Sequence, residues 1–234
     1  MNTTAAQSPN SSAAETRAWN WRSRIVVFAL ASTSIACLIG HFYGLFTMRV
    51  AVPVVMMPAF VLLGMILLRN RRTANQIVSL RLTQGIMAGL AACIAYDVFR
   101  VPFVMMKAAG VESSFALPLF KVMPGFGAMI LDQAMKPGSY NWLTHLLGWT
   151  YHFSNGIGFG IMYVAAIGNP LKHHWLWGVM MAVGLEAAML LMPYASLFAI
   201  RVTPQFVTVT LAAHLVFGAV LGLSVRWLAG NLKR

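Results

Sequence analysis

Apolar residues in this chain gather in blocks of roughly 20 or more, at about 25–46, 50–68, 83–105, 142–166, 175–198 and 205–228. An α-helix rises ~1.5 Å per residue, so blocks of this length reach across a hydrocarbon core of ~30 Å. Of the 234 residues, 59% are hydrophobic and only 9% are charged, and the mean hydropathy is +0.72. A soluble domain needs far more charge to cover its surface. The pattern predicts an all-α, polytopic transmembrane bundle of six spans whose first partner is the lipid bilayer.

The formal charge of +12 does not call for nucleic acid. Lys and Arg gather in the short segments between apolar blocks, the positive-inside pattern that orients helices. With the N-terminus inside, Arg17, Arg22, Arg24, Arg69, Arg71, Arg72, Arg81, Lys172, Arg226, Lys233 and Arg234 fall on the inner side. Arg49, Arg100, Lys107, Lys121, Lys136 and Arg201 fall on the outer side, eleven against six of the 17 basic residues. Both termini are therefore expected in the cytoplasm of a bacterial inner membrane. Residues 1–16 are small and polar with nothing to bury, and read as a disordered cytoplasmic tail ahead of a single transmembrane domain over 17–234. The block from Ile25 is too long for a signal-peptide core of ~7–15 residues and reads as a retained helix. Cys37 and Cys93 both fall within spans; they form neither a disulfide framework nor a zinc motif, and read as filler.

The stretch "FALPLFKVMPGFGAMILDQ" (115–133) competes as a seventh span. Pro118, Lys121, Pro124, Gly125 and Gly127 interrupt it, and proline inside a helix costs ~3 kcal/mol. A seventh span would also carry Arg226, Lys233 and Arg234 outside. An interfacial or re-entrant outer segment is expected instead. Glycines four apart (Gly40/Gly44, Gly85/Gly89, Gly156/Gly160, Gly218/Gly222) permit close helix approach, and serve either a compact bundle or a homo-oligomer.

Inside this apolar frame lie a few ionisable residues. "YHFSNGIGFGIMYV" (151–164) places His152 near the bilayer centre with Asn155 three residues on, and His145 seven residues earlier on roughly the same face. Glu186 lies in the middle of the fifth span with no basic residue near it in sequence. It is therefore either protonated or met by His152 or His214 from a neighbouring helix. Asp97 and Arg100 stand at i, i+3 in the outer half of the third span and suit a local salt bridge. His41, His145, His173 and His174 are placed to be solvated. Intramembrane ionisable groups usually face the interior and find partners. The candidate polar pocket is Asp97, Arg100, His152, Asn155, Glu186 and His214, with interhelical hydrogen bonding as the alternative role for the histidines.

Zinc-protease, phosphate-loop, di-iron and nucleophile-elbow motifs are absent, no catalytic residue is named, and the reading leans away from an enzyme. No cofactor is predicted. A haem between His152 and His214, or a divalent metal on His152, Glu186 and His214, is the competing class, without diagnostic spacing.

From His145 onward the order of features is distinctive. His145 and His152 lead into a helix with Tyr163, then come a basic loop, "LWG" (176–178), a Met-rich helix ending at Pro193, Pro204, and "HLVFG" (214–218). Over about 142–228 this resembles the YagU-like family of bacterial inner-membrane proteins. The resemblance implies an inner-membrane helical protein with His152, Pro193 and His214 at family-like positions, and supplies no enzyme activity. The leading expectation is a polar pocket, open to the outer side, that binds or relays a proton, ion or small solute. A metal or haem redox protein and a purely structural or assembly factor are the alternatives.

Overall fold

The computed structural model of the chain describes residues 19–73, 76–136 and 138–231, and its regular structure is all helical. The expected tail at 1–16 lies outside the described residues. The helices are α1 Trp21–Ala31, α2 Thr33–Phe42, α3 Met48–Arg71, α4 Ile77–Ala108, α5 Val122–Leu131, α6 Trp142–Ile167, α7 Leu176–Leu191, α8 Tyr194–Leu197 and α9 Pro204–Asn231. Of these, α3, α4 and α9 are long and apolar enough to cross a membrane, and the bent pair α1–α2 raises the number to four if it is one span. Outward-facing side chains on α3 are apolar and exposed, Val54 at 65% and Val61 at 59%, the surface of a helix that meets lipid rather than water.

Several expected blocks differ from a simple span. The first is broken by 48° between α1 and α2, and its helix stops at Phe42 rather than 46. Ser32 and Thr33 cause the bend: their hydroxyls donate back to Ala29 O at 2.9 Å and Leu30 O at 2.7 Å, an alternative to the helical ladder that bends helices. In α3, Pro53 and Pro58 lack N–H groups, and the helix widens into a π-turn over Val52–Met56, which contains Pro53 and precedes Pro58. The fifth block stops at Leu191, and Pro193 begins a break before α8. Its 16 residues extend only about 24 Å at 1.5 Å per residue. The fourth block is a 26-residue helix, but its polar residues from Thr144 to Asn155 keep it out of the strongly apolar class.

Residues 119–131 form a 3-10 turn, Leu119–Lys121, running into α5. At 10 residues α5 extends about 15 Å, half a bilayer core. Every residue from Val122 to Met129 is buried, so α5 is wrapped by the rest of the chain on all sides.

The bundle is built around α4, which packs on α6 along one side and on α9 along another; α7 packs on α9, and α5 on α6. Glycine sets these contacts. A Cβ on Gly89 of α4 would stand 2.3 Å from Gly156 O, and one on Gly160 of α6 would stand 2.1 Å from Gly85 O. On the other side, Gly178 of α7 and Gly218 of α9 face each other, with a Cβ at either within 2.6 Å of the partner's carbonyl oxygen. Three of the four glycine pairs thus face helices of the same chain; Gly44, of the fourth, lies beyond α2 at φ +70. Arg24 donates to Ala165 O and Ala166 O at the C-terminal end of α6, and Arg226 to His173 O, so two basic residues at that end of the bundle satisfy carbonyls rather than meet only water. Arg81, expected among the inner-loop charges, is instead inside α4 and 3% exposed, donating to Gln84 Oε1 at 3.0 Å.

Candidate functional site

On α4, Cys93, Asp97 and Arg100 follow one another at spacings of four and three, so they project from one face. The glycine contact with α6 brings that face against His152. Nε2 of His152 lies 2.9 Å from Asp97 Oδ2 and 3.3 Å from Cys93 Sγ. The other Asp97 oxygen receives Arg100 Nη1 at 3.4 Å, and Arg100 Nη2 donates to Leu119 O at 2.5 Å. The guanidinium sits 4.6 Å from the Tyr96 ring centre and 5.1 Å from that of Phe120, within cation–π range of both. Arg100 is 4% exposed, and its Nε has no partner among the described residues.

This geometry limits the chemistry. In a nucleophilic triad the nucleophile and the orienting acid hold opposite nitrogens of the histidine. Here Cys93 and Asp97 both meet Nε2, so the trio is not such a relay. The three donor atoms lie within 4.8 Å of one another, and thiolate, imidazole and carboxylate are zinc ligands by type. Arg100, however, already takes the same carboxylate, and its permanent charge opposes a second cation there. The cluster is closed on itself, with Asp97 balanced by Arg100 and bonded to His152. A haem axial bond from His152 Nε2 would likewise have to displace Asp97.

Glu186 of α7 meets His214 of α9 rather than His152. His214 Nδ1 lies 3.0 Å from Glu186 Oε2 and 2.9 Å from Thr210 O. Both neighbours are acceptors, so Nδ1 carries a hydrogen and Nε2 is left towards the interior. The other Glu186 oxygen is 2.5 Å from Thr210 Oγ1, which is also 2.9 Å from Phe206 O. A hydroxyl has one hydrogen and two lone pairs. With Glu186 ionised, Thr210 donates to the carboxylate; with Glu186 protonated, the acid donates to Thr210, which donates onward to Phe206 O. Thr210 therefore accommodates either protonation state of Glu186 without moving a heavy atom.

Four of the six candidate residues thus form two acid–imidazole pairs rather than one cluster, and Arg100 joins the first of them through Asp97. Tyr96 touches both, its ring centre 6.2 Å from that of His152 and 5.0 Å from that of His214. Two cavities open around it. An inner chamber of about 280 Å³ is bordered by His152, Asn155, His214, Arg100 and apolar side chains, and the buried Asn155 Oδ1 has no partner among the described residues. An outer cavity of about 470 Å³ is bordered by Glu186, Thr210 and Arg100, at the end of the bundle where α4 finishes and α9 begins. His145, placed on the face of His152, is exposed, as are His173 and His174, and His41 is half-buried.

Cys93, Tyr96 and Thr210 were not among the expected pocket residues. Cys93 and Thr210 each sit one helical turn before a candidate, Asp97 and His214, on the same face. That spacing was the available signal. Comparison with protein-family models, curated proteins and solved structures gives no match. The YagU-like resemblance therefore rests on the residues quoted for it.

Proposed function

We propose that this chain is a six-span inner-membrane bundle that binds a small solute in its interior and exchanges a proton at Glu186. In this reading α1–α2, α3, α4, α6, α7 with its α8 extension, and α9 are the spans, and 119–131 is a re-entrant segment whose helix is buried from Val122 to Met129. The burial of α5 supports re-entry over an interfacial helix, because an interfacial helix keeps one face in water. Topology is tested by reporter fusions after Arg72 and after Arg234. Both are expected to report the cytoplasm, and an external C-terminus would overturn the six-span arrangement.

The observation that carries proton exchange is the Thr210 hydroxyl between Glu186 and the Phe206 carbonyl, which fits the acid in both of its states. Intramembrane carboxylates in such settings serve ion and proton pathways. His214, bonded through Nδ1 to Glu186, also borders the inner chamber. Infrared difference spectra of the purified protein across the ordinary carboxyl range, from about pH 3 to pH 7, test this. The expected signal is the C=O stretch of a protonated carboxyl appearing on the acid side in the wild type and missing in Glu186→Gln. The Gln side chain keeps shape and hydrogen bonding, so its stability is expected within about 1 kcal/mol of wild type. The same difference spectrum in both proteins would remove Glu186 from proton exchange.

A further inference from the structure

We propose that the two cavities together form a binding site for a single-chain anionic amphiphile, with its acidic head in the outer cavity and its apolar tail in the inner chamber. The proposal rests on the reading of the bundle as a membrane-embedded binding protein, and names the class of molecule it takes.

Charge is the first argument. The outer cavity is bordered by Arg100, Lys107, Lys121 and Arg201, and Glu186 is its one acid among the described residues. Arg100 is balanced by Asp97, which leaves Lys107, Lys121 and Arg201 against the single carboxylate of Glu186. Lys121 points across the cavity, donating to Ala199 O at 2.8 Å. A cavity with three such cations against one carboxylate favours an anion.

Arg100 is the second argument. It borders both cavities, as do Tyr96, Val122, Met189 and Tyr194, so the two spaces share a wall at its guanidinium. Its Nε is buried with no partner among the described residues. A buried N–H left unsatisfied costs about 1–3 kcal/mol, and an acidic head drawn to this wall supplies the missing acceptor.

The third argument is what lies behind Arg100. The inner chamber has no carboxylate on its walls, and Phe42, Phe126, Phe159, Leu185 and Met189 make most of its surface apolar. Ligand pockets for drug-sized molecules run about 300–1,000 Å³, so 280 Å³ suits one short chain or ring and not the two chains of a phospholipid. Polar head space and apolar tail space thus adjoin at the one buried cation that borders both.

Decyl phosphate, decanol and inorganic phosphate separate the contributions, each titrated by calorimetry into the protein in phosphatidylcholine nanodiscs. Decyl phosphate is expected to bind at least about tenfold more tightly than either of the others. The triple variant Lys107→Gln/Lys121→Gln/Arg201→Gln leaves the Asp97–Arg100 pair intact and is expected to weaken decyl phosphate about tenfold or more without changing decanol. Ala188→Phe, which fills the inner chamber, is expected to weaken decyl phosphate and leave inorganic phosphate unchanged. Equal binding of decanol and decyl phosphate would mean partition into apolar space alone. Equal binding of inorganic phosphate would mean an anion site without a tail. Either result, or a triple variant that binds like wild type, overturns the proposal. The infrared signal of Glu186 is read without any amphiphile, so loss of this substrate class leaves the proton reading standing, and the reverse holds too.

Discussion

Gly148→Ala is expected to prevent α5 from docking on α6 and to lower stability by more than about 4 kcal/mol. A Cβ built on Gly148 lies 1.7 Å from Met123 O and 2.6 Å from Met123 C. The obstacle is backbone, not the tip of a flexible side chain, so only movement of the whole segment relieves it. The same contact is doubled one turn away, where a Cβ on Gly127 would lie 1.9 Å from Thr144 O. Helix propensity argues the other way, since Ala is better than Gly by about 1 kcal/mol inside a helix. The clash is larger and decides the sign. Gly64→Ala is the control, because nothing lies within 4 Å of a Cβ there, and it is expected to be neutral or slightly stabilising. For a chain of this size each kcal/mol moves the midpoint by roughly 2–4 °C, so Gly148→Ala should fall at least about 8 °C below Gly64→Ala in thermal unfolding. Equal midpoints would mean that α5 and α6 do not meet backbone to backbone.

Asp97→Ala is expected to cost about 3–5 kcal/mol, the penalty for leaving a buried partner charge uncompensated. Arg100 would keep Leu119 O and the rings of Tyr96 and Phe120 but lose the carboxylate 3.4 Å away. His152 would lose its acceptor at the same time. Asp97→Ala/Arg100→Met removes both charges and is expected to recover much of the loss, since a buried ion pair replaced by apolar groups is often neutral or better. Unfolding of the four proteins of this cycle measures the coupling directly. An Asp97→Ala cost below about 1 kcal/mol, or strict additivity in the double variant, would show that the pair is solvated rather than buried.

How much of this was legible beforehand depends on the kind of information each feature needs. That the chain is a helical membrane protein follows from the length and composition of its apolar blocks alone. The Asp97–Arg100 contact was legible because both residues lie on one helix, where i and i+3 meet whatever surrounds them. The interruption at 115–133 was legible from Pro118, which stands just before the 3-10 turn. Pro124, Gly125 and Gly127 instead sit inside α5 without breaking it, since a proline in the first turn of a helix gives up no helical hydrogen bond. The break at Ser32 was not anticipated, because serine and threonine bend a helix only when their hydroxyls turn back to the carbonyls. Arg81 was counted as a loop charge because nothing in the sequence says that α4 starts at Ile77 and carries it inside.

By itself the sequence determined the helical class, the one-helix pairs and the inventory of mid-membrane acids and imidazoles. Only the tertiary structure decided which acid meets which imidazole: Asp97 with His152, and Glu186 with His214. At 3.6 residues per turn, shifting one helix by a single residue turns its side chains by about 100° and moves them ~1.5 Å in depth. Either change redirects Glu186 or detaches Cys93 from His152. The rotation and depth that hold these partners are set by backbone contacts at Gly85, Gly89, Gly156 and Gly160 between α4 and α6, and at Gly178 and Gly218 between α7 and α9. A glycine in the sequence signals that close approach is permitted there, but its partner is chosen only when the helices pack.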